Sequence, residues 1–226
     1  YVREGYELYD NPQVAQIVSY SGAGGIVTIP SMVGGYDVKI IGKGNGNYTV
    51  FPTSLSVSEL IISPGPTKIH GYAFYQCSNI ESVSLPDTIT EIGMYAFLGC
   101  TNLANSDLHL PSSLETIETG AFRGCSGLTG SLVIPNTVRV ISSDAFTGCS
   151  GLTGTLTLST GLTIITGFSN CGFTGTLTIP NGVTTISNNA FLNCSGFTGG
   201  LVLPDTLRSV GGFSGCTGST GPLTIP

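Results

Sequence analysis

Charge is scarce in this sequence. Asp, Glu, Lys and Arg make up 9% of its 226 residues, and seven basic residues stand against thirteen acidic ones, for a net charge of −6. This negative balance argues against binding nucleic acid, because recognition of the phosphate backbone requires a surplus of Lys and Arg. No uninterrupted apolar run approaches the roughly 18 residues of a membrane-spanning helix, so we expect no membrane span in this chain.

Signs of disorder are lacking as well. Glycine and proline are abundant, with 33 and 12 copies, yet together they stay below the roughly 25–30% that marks low-complexity chains. The apolar share of 40% is too high for an intrinsically disordered chain, because it supplies enough apolar surface to form a core. We therefore predict a folded chain.

A repeat extends over most of the chain. A degenerate first copy, Phe51-Pro-Thr-Ser54, lies 23 residues before Phe74 and carries Ser in the place of Cys. Seven regular copies of the tetrapeptide Phe-x-x-Cys follow, with steps of 22 to 25 residues between successive phenylalanines, at Phe74/Cys77, Phe97/Cys100, Phe122/Cys125, Phe146/Cys149, Phe168/Cys171, Phe191/Cys194 and Phe213/Cys216. The chain therefore contains eight copies of one unit.

The copies share an internal order. An alternating apolar stretch ends in Pro, as in Leu132-Val133-Ile134-Pro135, and a second apolar pair such as Val138 and Ile141 precedes Ala-Phe. Alternation with β-branched residues is typical of a strand, and the following Pro ends it because Pro has no N–H to donate. The Ala-Phe-x-x-Cys segment predicts a tight turn or a single 3₁₀ turn. A unit of about 23 residues buries its apolar face only by stacking on its neighbours, so we predict a solenoid.

With its Leu-x-Ile-Pro strand and its Ala-Phe-x-x-Cys turn, the unit resembles the BspA-like type of leucine-rich repeat, which occurs in many bacterial surface proteins. The resemblance covers roughly residues 42–226. It implies a β-rich solenoid, a right-handed leucine-rich repeat rod of about eight coils. Ser63 and Ser159 depart from the pattern, because they stand where the other copies have Pro.

We expect the two ends of the chain to differ from the repeat. Residues 1–41 contain two period-two segments, Tyr6–Tyr9 and Ala15–Tyr20, on either side of the turn signal Asp10-Asn-Pro-Gln13, and we predict a β-hairpin that caps the first coil. Residues 42–226 form the solenoid, whose last coil is incomplete because no Phe-x-x-Cys follows Leu223–Pro226. The sequence at Tyr1 lacks the charged and apolar regions of a signal peptide, so we expect a signal peptide and an anchor to lie outside this chain.

The seven cysteines predict a buried packing column. Cys-x-x-Cys pairs and His partners are absent from the sequence, which argues against a zinc site. Consecutive cysteines lie one coil apart with parallel side chains, an arrangement that disfavours disulfide geometry. We therefore interpret them as reduced thiols that pack like small hydrophobic groups, and we expect neither a metal nor a cofactor.

One arrangement resembles a catalytic site but has a simpler interpretation. Asp107 and His109 point to the same face of a predicted strand, and Ser84 and Ser131 lie on neighbouring coils, as a Ser-His-Asp arrangement requires. These are ordinary exposed positions of the repeat. We therefore predict no catalytic residues and no enzyme.

The outward residues of the strand before each Pro form a column with little charge. The stretch between Asp144 and Asp205 contains no charged residue. A surface of hydroxyls, Val and Gly is suited to flat contacts with protein or glycan. We predict a binding surface made of six members of this column: Ser84, His109, Val133, Thr157, Thr178 and Val202.

These features predict a non-catalytic adhesion or recognition protein that is extracellular or located at the cell surface. The resemblance implies partners among the surface proteins or glycans of host or neighbouring cells. The alternative is a structural spacer or stalk without a ligand of its own. Fold alone does not decide between the two, because one fold serves many functions.

Overall fold

Short β-strands joined by turns make up the structure. A computed structural model of the protein describes residues 2–3, 6–11, 14–43, 49–104 and 108–224, and none of these residues is helical. In chain order the strands are β1 (Val2–Arg3), β2 (Tyr6–Asn11), β3 (Val14–Tyr20), β4 (Gly25–Ile29), β5 (Met32–Val33), β6 (Tyr36–Ile41), β7 (Val57–Ile62), β8 (Lys68–Ile69), β9 (Val83–Ser84), β10 (Glu91–Ile92), β11 (Thr116–Ile117), β12 (Leu132–Val133), β13 (Val140–Ile141), β14 (Leu156–Thr157), β15 (Ile164–Ile165), β16 (Leu177–Thr178), β17 (Thr185–Ile186), β18 (Leu201–Val202), β19 (Ser209–Val210) and β20 (Leu223–Thr224).

Most strands fall into two columns that run along the stack of coils. The first-strand column contains β4, β7, β9, β12, β14, β16, β18 and β20, and the second-strand column contains β6, β8, β10, β11, β13, β15, β17 and β19. Paired neighbours within each column are parallel and in register, as in Leu132↔Leu156 and Ile92↔Ile117. The chain is therefore a parallel β-solenoid of about eight turns, one for each strand of the second column. This confirms the fold class that the repeat predicts.

An antiparallel hairpin covers one end of the solenoid. Strands β2 and β3 pair from Tyr6↔Tyr20 to Asn11↔Val14, and β3 continues into the second-strand column by pairing in parallel with β6. The hairpin thus occupies a sheet edge that would otherwise be free to pair with another chain. The predicted hairpin cap is confirmed. β6 in turn pairs with β8 through Ile41↔Ile69, so the sheet is continuous across residues 41 and 42. The division of the chain into a cap of residues 1–41 and a solenoid of residues 42–226 stays a prediction.

Phenylalanine side chains form the central column of the core. Neighbouring ring centroids lie 5.0–5.7 Å apart along the whole column. At the hairpin end, the ring of Tyr20 packs edge-on against Phe51, with centroids 5.2 Å apart. Stacked aromatic pairs add to the stabilisation from burial alone. The column consists of Phe51, Phe74, Phe97, Phe122, Phe146, Phe168, Phe191 and Phe213.

The cysteines form a second column beside the phenylalanines. All seven are free thiols; six are buried and Cys216 is half-buried. The Sγ–H of Cys149 donates to the carbonyl oxygen of Phe122 in the preceding coil at 3.1 Å. Cys100, Cys125, Cys171, Cys194 and Cys216 make the equivalent bond at 2.9–3.1 Å. The predicted ladder of reduced thiols is present, and each regular thiol also links two coils.

The two positions that lack Pro have a structural explanation. The backbone N–H of Ser63 donates to the Ile29 oxygen at 2.9 Å, a bond that Pro cannot make. Ser159 is fully buried. Its Oγ donates to the Val138 oxygen at 2.7 Å and accepts the N–H of Gly161 at 3.0 Å, so the hydroxyl group has partners in the core.

Candidate functional site

The first-strand face is the surface formed by the outward side chains of the first-strand column. Period-two alternation places one side chain of each strand outward and its two neighbours inward. Val133 is 56% exposed, for example, whereas Leu132 and Ile134 are buried. The members of this face are Thr28, Ile61, Ser84, His109, Val133, Thr157, Thr178, Val202 and Thr224.

Five of the six predicted site residues are exposed on this face: Ser84, His109, Val133, Thr157 and Thr178; the sixth, Val202, is half-buried. Strand register makes Val133 and Thr157 direct neighbours, and likewise Thr178 and Val202. The sheet is interrupted between β9 and β12 and between β14 and β16. Five of the six residues therefore lie on three separate sheets along one face, and His109 lies in the first interruption. No hydrogen-bonded ladder joins the described residues of one sheet to those of the next.

A surface cavity of about 450 Å³ lies at the first interruption of the sheet. His109 and Val133 line its walls, together with Ser112 and Ser131. Leu108, Leu110 and Pro135 complete the lining. Two predicted site residues therefore share one concave surface, which mixes apolar groups, hydroxyls and an imidazole.

An acidic side chain that binds the cavity-lining residue Ser112 was not predicted as part of the site. The Oδ1 atom of Asp87 accepts the backbone N–H of Ser112 at 2.7 Å. This bond, with a contribution from the Ser112 side chain and from the charge of His109, lowers the pKa of Asp87 below its usual value. Asp87 follows Pro86 as Ser112 follows Pro111, and this shared repeat position is the sequence signal that could have placed it one coil from His109.

Hydroxyl groups flank the centre of the first-strand face. The Oγ of Ser131 lies 3.3 Å from the Oγ1 of Thr155 and accepts the backbone N–H of Thr155 at 3.1 Å. These residues lie two positions before Val133 and Thr157, on the same side of their strands. The hydroxyls therefore extend the uncharged surface around the predicted site.

Of the other groups considered for chemistry, the cysteines have a structural role and Asp107 lies outside the described residues. Burial raises the pKa of the Cys77 thiol to about 12, and it holds the pKa of Cys149 well above its usual range. Such thiols stay protonated near neutral pH and are poor nucleophiles and metal ligands. The structure does not test whether Asp107 points to the same strand face as His109. Within the described part of the chain, no three His, Cys, Asp or Glu side chains are grouped as a metal site requires.

Across the residues that the structure describes, no helical segment has the length and apolar character needed to cross a bilayer.

The repeat matches the model of a known protein family. The family model of the BspA type leucine rich repeat region matches residues 47–167 and 129–220, in six copies. Together these ranges span most of the chain. A comparison with curated proteins gives no match.

Several solved bacterial structures share the architecture. A T. pallidum leucine-rich repeat protein, TpLRR, is 25% identical with a TM-score of 0.64, over 97% of this chain and 90% of that one. A leucine-rich repeat protein from Bacteroides ovatus is 20% identical with a TM-score of 0.57, over 98% and 70% of the two chains. The pneumococcal vaccine antigen PcpA is 16% identical with a TM-score of 0.51, over 99% and 69%. The last two likenesses concern the fold alone.

Proposed function

The chain belongs to the BspA-type leucine-rich repeat family, and from that premise we propose that it is a non-catalytic recognition protein of the cell surface. Its partners are surface proteins or glycans of host or neighbouring cells, and they bind to the first-strand face. Surface location is part of the proposal because BspA-like repeats occur in many bacterial surface proteins. The observation that carries the proposal is the exposed, uncharged column that includes Val133, Thr157 and Thr178.

The chemistry of this face supports recognition of flat or extended partners. Val133 and Thr157 are paired in a regular ladder whose inward neighbours are buried, so the outward side chains have fixed spacing. Uncharged surfaces of this kind lose little solvation energy when a partner covers them, because no ionised group has to be desolvated. The cavity at His109 and Val133 adds a concave feature to the face.

The arrangement around His109 supports a non-catalytic role. A serine nucleophile needs a histidine within hydrogen-bonding distance to accept its proton. No hydrogen bond joins His109 to a serine hydroxyl in the ranges that the structure describes, although Ser112 and Ser131 line the same cavity. The Asp87 carboxylate is instead engaged by the Ser112 backbone.

A charge placed on the face tests the proposal. The chain and its Thr157→Arg variant are titrated against a panel of immobilised extracellular-matrix proteins and a glycan array. Thr157→Arg buries an unpaired cation under the partner, so we expect it to weaken binding roughly tenfold or more. The control is Ser150→Arg, which adds the same charge to an exposed turn away from the face and should leave binding unchanged.

Two results would overturn the recognition role. Absence of saturable binding to every protein and glycan would favour the structural spacer. Equal loss of binding in Thr157→Arg and Ser150→Arg would show that the first-strand face is not the contact surface.

A further inference from the structure

One coil is shorter than its neighbours on the second-strand side. Two residues separate Ile165 from Phe168, whereas four separate Ile141 from Phe146 and four separate Ile186 from Phe191. Gly167 makes the short connection possible: its φ is +89°, and a Cβ there would lie 2.9 Å from the Ala145 nitrogen. Only glycine fits this backbone, because an L side chain disfavours that φ and has no room.

The short coil coincides with a break in the second-strand column. The column is continuous up to β13 and resumes at β15 as a separate sheet. Ser142 donates its backbone N–H to Ile117 at 2.9 Å, and Ser187 donates to Ile165 at 3.0 Å. The equivalent bond from Thr166 to Ile141 does not occur in the described structure. The second-strand ladder is therefore open between these two coils, which stay joined elsewhere, as by the bond from the Phe146 N–H to the Gly167 oxygen at 2.7 Å. A groove of about 460 Å³ lies at this opening.

The walls of the groove combine apolar and hydroxyl-bearing side chains. Val140 and Ile164, which come from the two adjoining coils, are 47% and 50% exposed and line the groove. Six hydroxyls line the walls, and in the described structure none of their side chains has a hydrogen-bond partner: Thr119, Ser142, Ser143, Thr163, Thr166 and Ser187. Hydroxyl groups both donate and accept, so these side chains can match a ligand rich in hydroxyls.

Arg139 is the cation of the groove. Lys39, Lys68 and Arg123 form ion pairs with acidic neighbours. Arg139, which is exposed and lines the groove, has no acidic oxygen within 4 Å among the described residues, and this includes Glu115 of the adjoining coil. Its guanidinium group therefore remains available to a ligand, and its planar fork binds carboxylates through two parallel hydrogen bonds.

We propose that this groove binds a carboxylate-bearing sugar, a uronic or sialic acid residue of a glycan. Arg139 pairs with the carboxylate, the hydroxyls of the walls bind the sugar hydroxyls, and Val140 and Ile164 contact the C–H face of the ring. An acidic peptide fits less well, because it would place several negative charges beside one cation on a chain of net charge −6. The groove lies on the second-strand column, so this site is separate from the first-strand face and does not depend on its proposed role.

The test compares sugar acids with their uncharged counterparts on the full chain. Sialyllactose against lactose, and glucuronic acid against glucose, are titrated by calorimetry or saturation-transfer NMR, so that the two acid classes are distinguished. We expect one or both acids to bind and the neutral sugars to bind at least about tenfold more weakly, because they lose a charge-assisted hydrogen-bonded pair. Arg139→Gln should weaken binding of the acid by a similar factor of about ten.

Arg208 provides the matched control. Arg208 occupies the same repeat position as Arg139, as shown by the equivalent backbone bonds from Arg208 to Thr184 and from Arg139 to Glu115, both 2.9 Å. Arg208 does not line the groove, so Arg208→Gln should leave the affinity within about twofold, as a distant charge change does. Both variants alter exposed side chains and should keep the melting temperature of the parent chain.

Several outcomes would overturn the assignment. These are failure of both acids to bind, equal affinity for acid and neutral sugar, or equal loss of affinity in Arg139→Gln and Arg208→Gln. Tetraglutamate is included as an acidic peptide. Arg139-dependent binding of this peptide in preference to the sugar acids would assign the groove to a protein ligand instead.

Discussion

Each regular cysteine joins two coils through a single carbonyl oxygen. The Phe146 oxygen accepts the backbone N–H of Cys149 in its own coil at 3.1 Å and the Sγ–H of Cys171 in the next coil at 3.1 Å. A carbonyl oxygen has two lone pairs, so both bonds can form. A thiol fits this position because it is small and hydrophobic yet carries a weak donor. The column therefore depends on cysteine chemistry without using its reactivity.

Thiol titration tests the state of the cysteines. In the native protein at pH 8 we expect Cys216, which is half-buried, to react first with a thiol reagent, because the other six are inaccessible and protonated. In denaturant without reductant, all seven should react. A smaller odd count in denaturant would reveal disulfides and contradict the thiol ladder.

The buried thiols also predict how stability depends on pH. Burial raises the pKa of Cys77 from 9.0 to about 12, so above pH 9 the unfolded chain releases a proton that the folded chain keeps. The free energy of unfolding should therefore fall as the pH rises from 9 towards 12, by about 1.4 kcal/mol per pH unit for one such thiol. Burial likewise raises the pKa of Cys194 to about 11.

Urea unfolding in the presence of reductant, between pH 9.5 and 11, measures this slope. Cys77→Ala should make the slope shallower by about 1 kcal/mol per pH unit. Thr157→Ala, which removes no titrating group, should keep the slope of the parent chain. Identical slopes in all three proteins would show that Cys77 titrates normally in the folded state.

Among the structural elements, the turn after each of the last five cysteines requires glycine and accounts for five of the 33 glycines. At this turn, an added Cβ would meet a carbonyl oxygen of the preceding coil at a distance that real side chains do not reach. At Gly151, for instance, it would lie 2.5 Å from the Ser126 oxygen and would also clash with the Leu128 oxygen. Glycine therefore sets how closely two coils can stack. The positions are Gly127, Gly151, Gly172, Gly196 and Gly218.

Substitution of one of these glycines tests the close approach of the coils. Gly151→Ala should lower the free energy of unfolding by about 1–3 kcal/mol, because the backbone of the neighbouring coil has to shift. The adjacent Ser150 is exposed, so Ser150→Ala should stay within about 0.5 kcal/mol of the parent chain. Equal effects in urea unfolding would show that the contact at Gly151 can relax.

The short coil, which contains β14 and β15, pairs with different neighbouring coils through its two strands. Its first strand, β14, pairs with the preceding β12, whereas its second strand, β15, pairs with the following β17. The coil therefore belongs to the preceding ladder on one side and to the following ladder on the other. The spacing between Ile165 and Phe168 in the sequence reveals the short connection. It does not determine whether the first-strand or the second-strand ladder is interrupted, because that depends on the hydrogen-bond geometry of both columns.

Over the whole molecule, the sequence predicts the stacking of the phenylalanine rings well, because nearly every coil keeps the same sequence distances between its strands, its phenylalanine and its cysteine. Phe97 and Phe122 are 25 residues apart in the sequence, yet their rings are within 2° of parallel. In most copies an apolar residue follows the cysteine by three positions, as Leu128 and Leu152 do. Phe173 follows its cysteine by two positions, so the repeat did not predict its burial. It is nevertheless fully buried and packs against Phe168.

The candidate site is less predictable than the fold. Alternation correctly places Val133 and Thr157 outward, since this depends only on the strand period. The cavity at His109 arises where the sheet is interrupted, and the bond between Asp87 and Ser112 crosses from one coil to the next. Both depend on the distance and angle between coils, which no single repeat encodes.

The assignment of inside and outside is the central claim, because both the core and the proposed binding face depend on it. Phe146 is fully buried, with Phe122 and Phe168 stacked on either side at 5.3 and 5.5 Å, whereas Thr157 is exposed. The most direct measurement is urea unfolding of Phe146→Ala and Thr157→Ala beside the parent chain. Phe146→Ala should lower the free energy of unfolding by ~3–5 kcal/mol, and Thr157→Ala should change it by less than about 0.5 kcal/mol. The reverse ranking would contradict the claim.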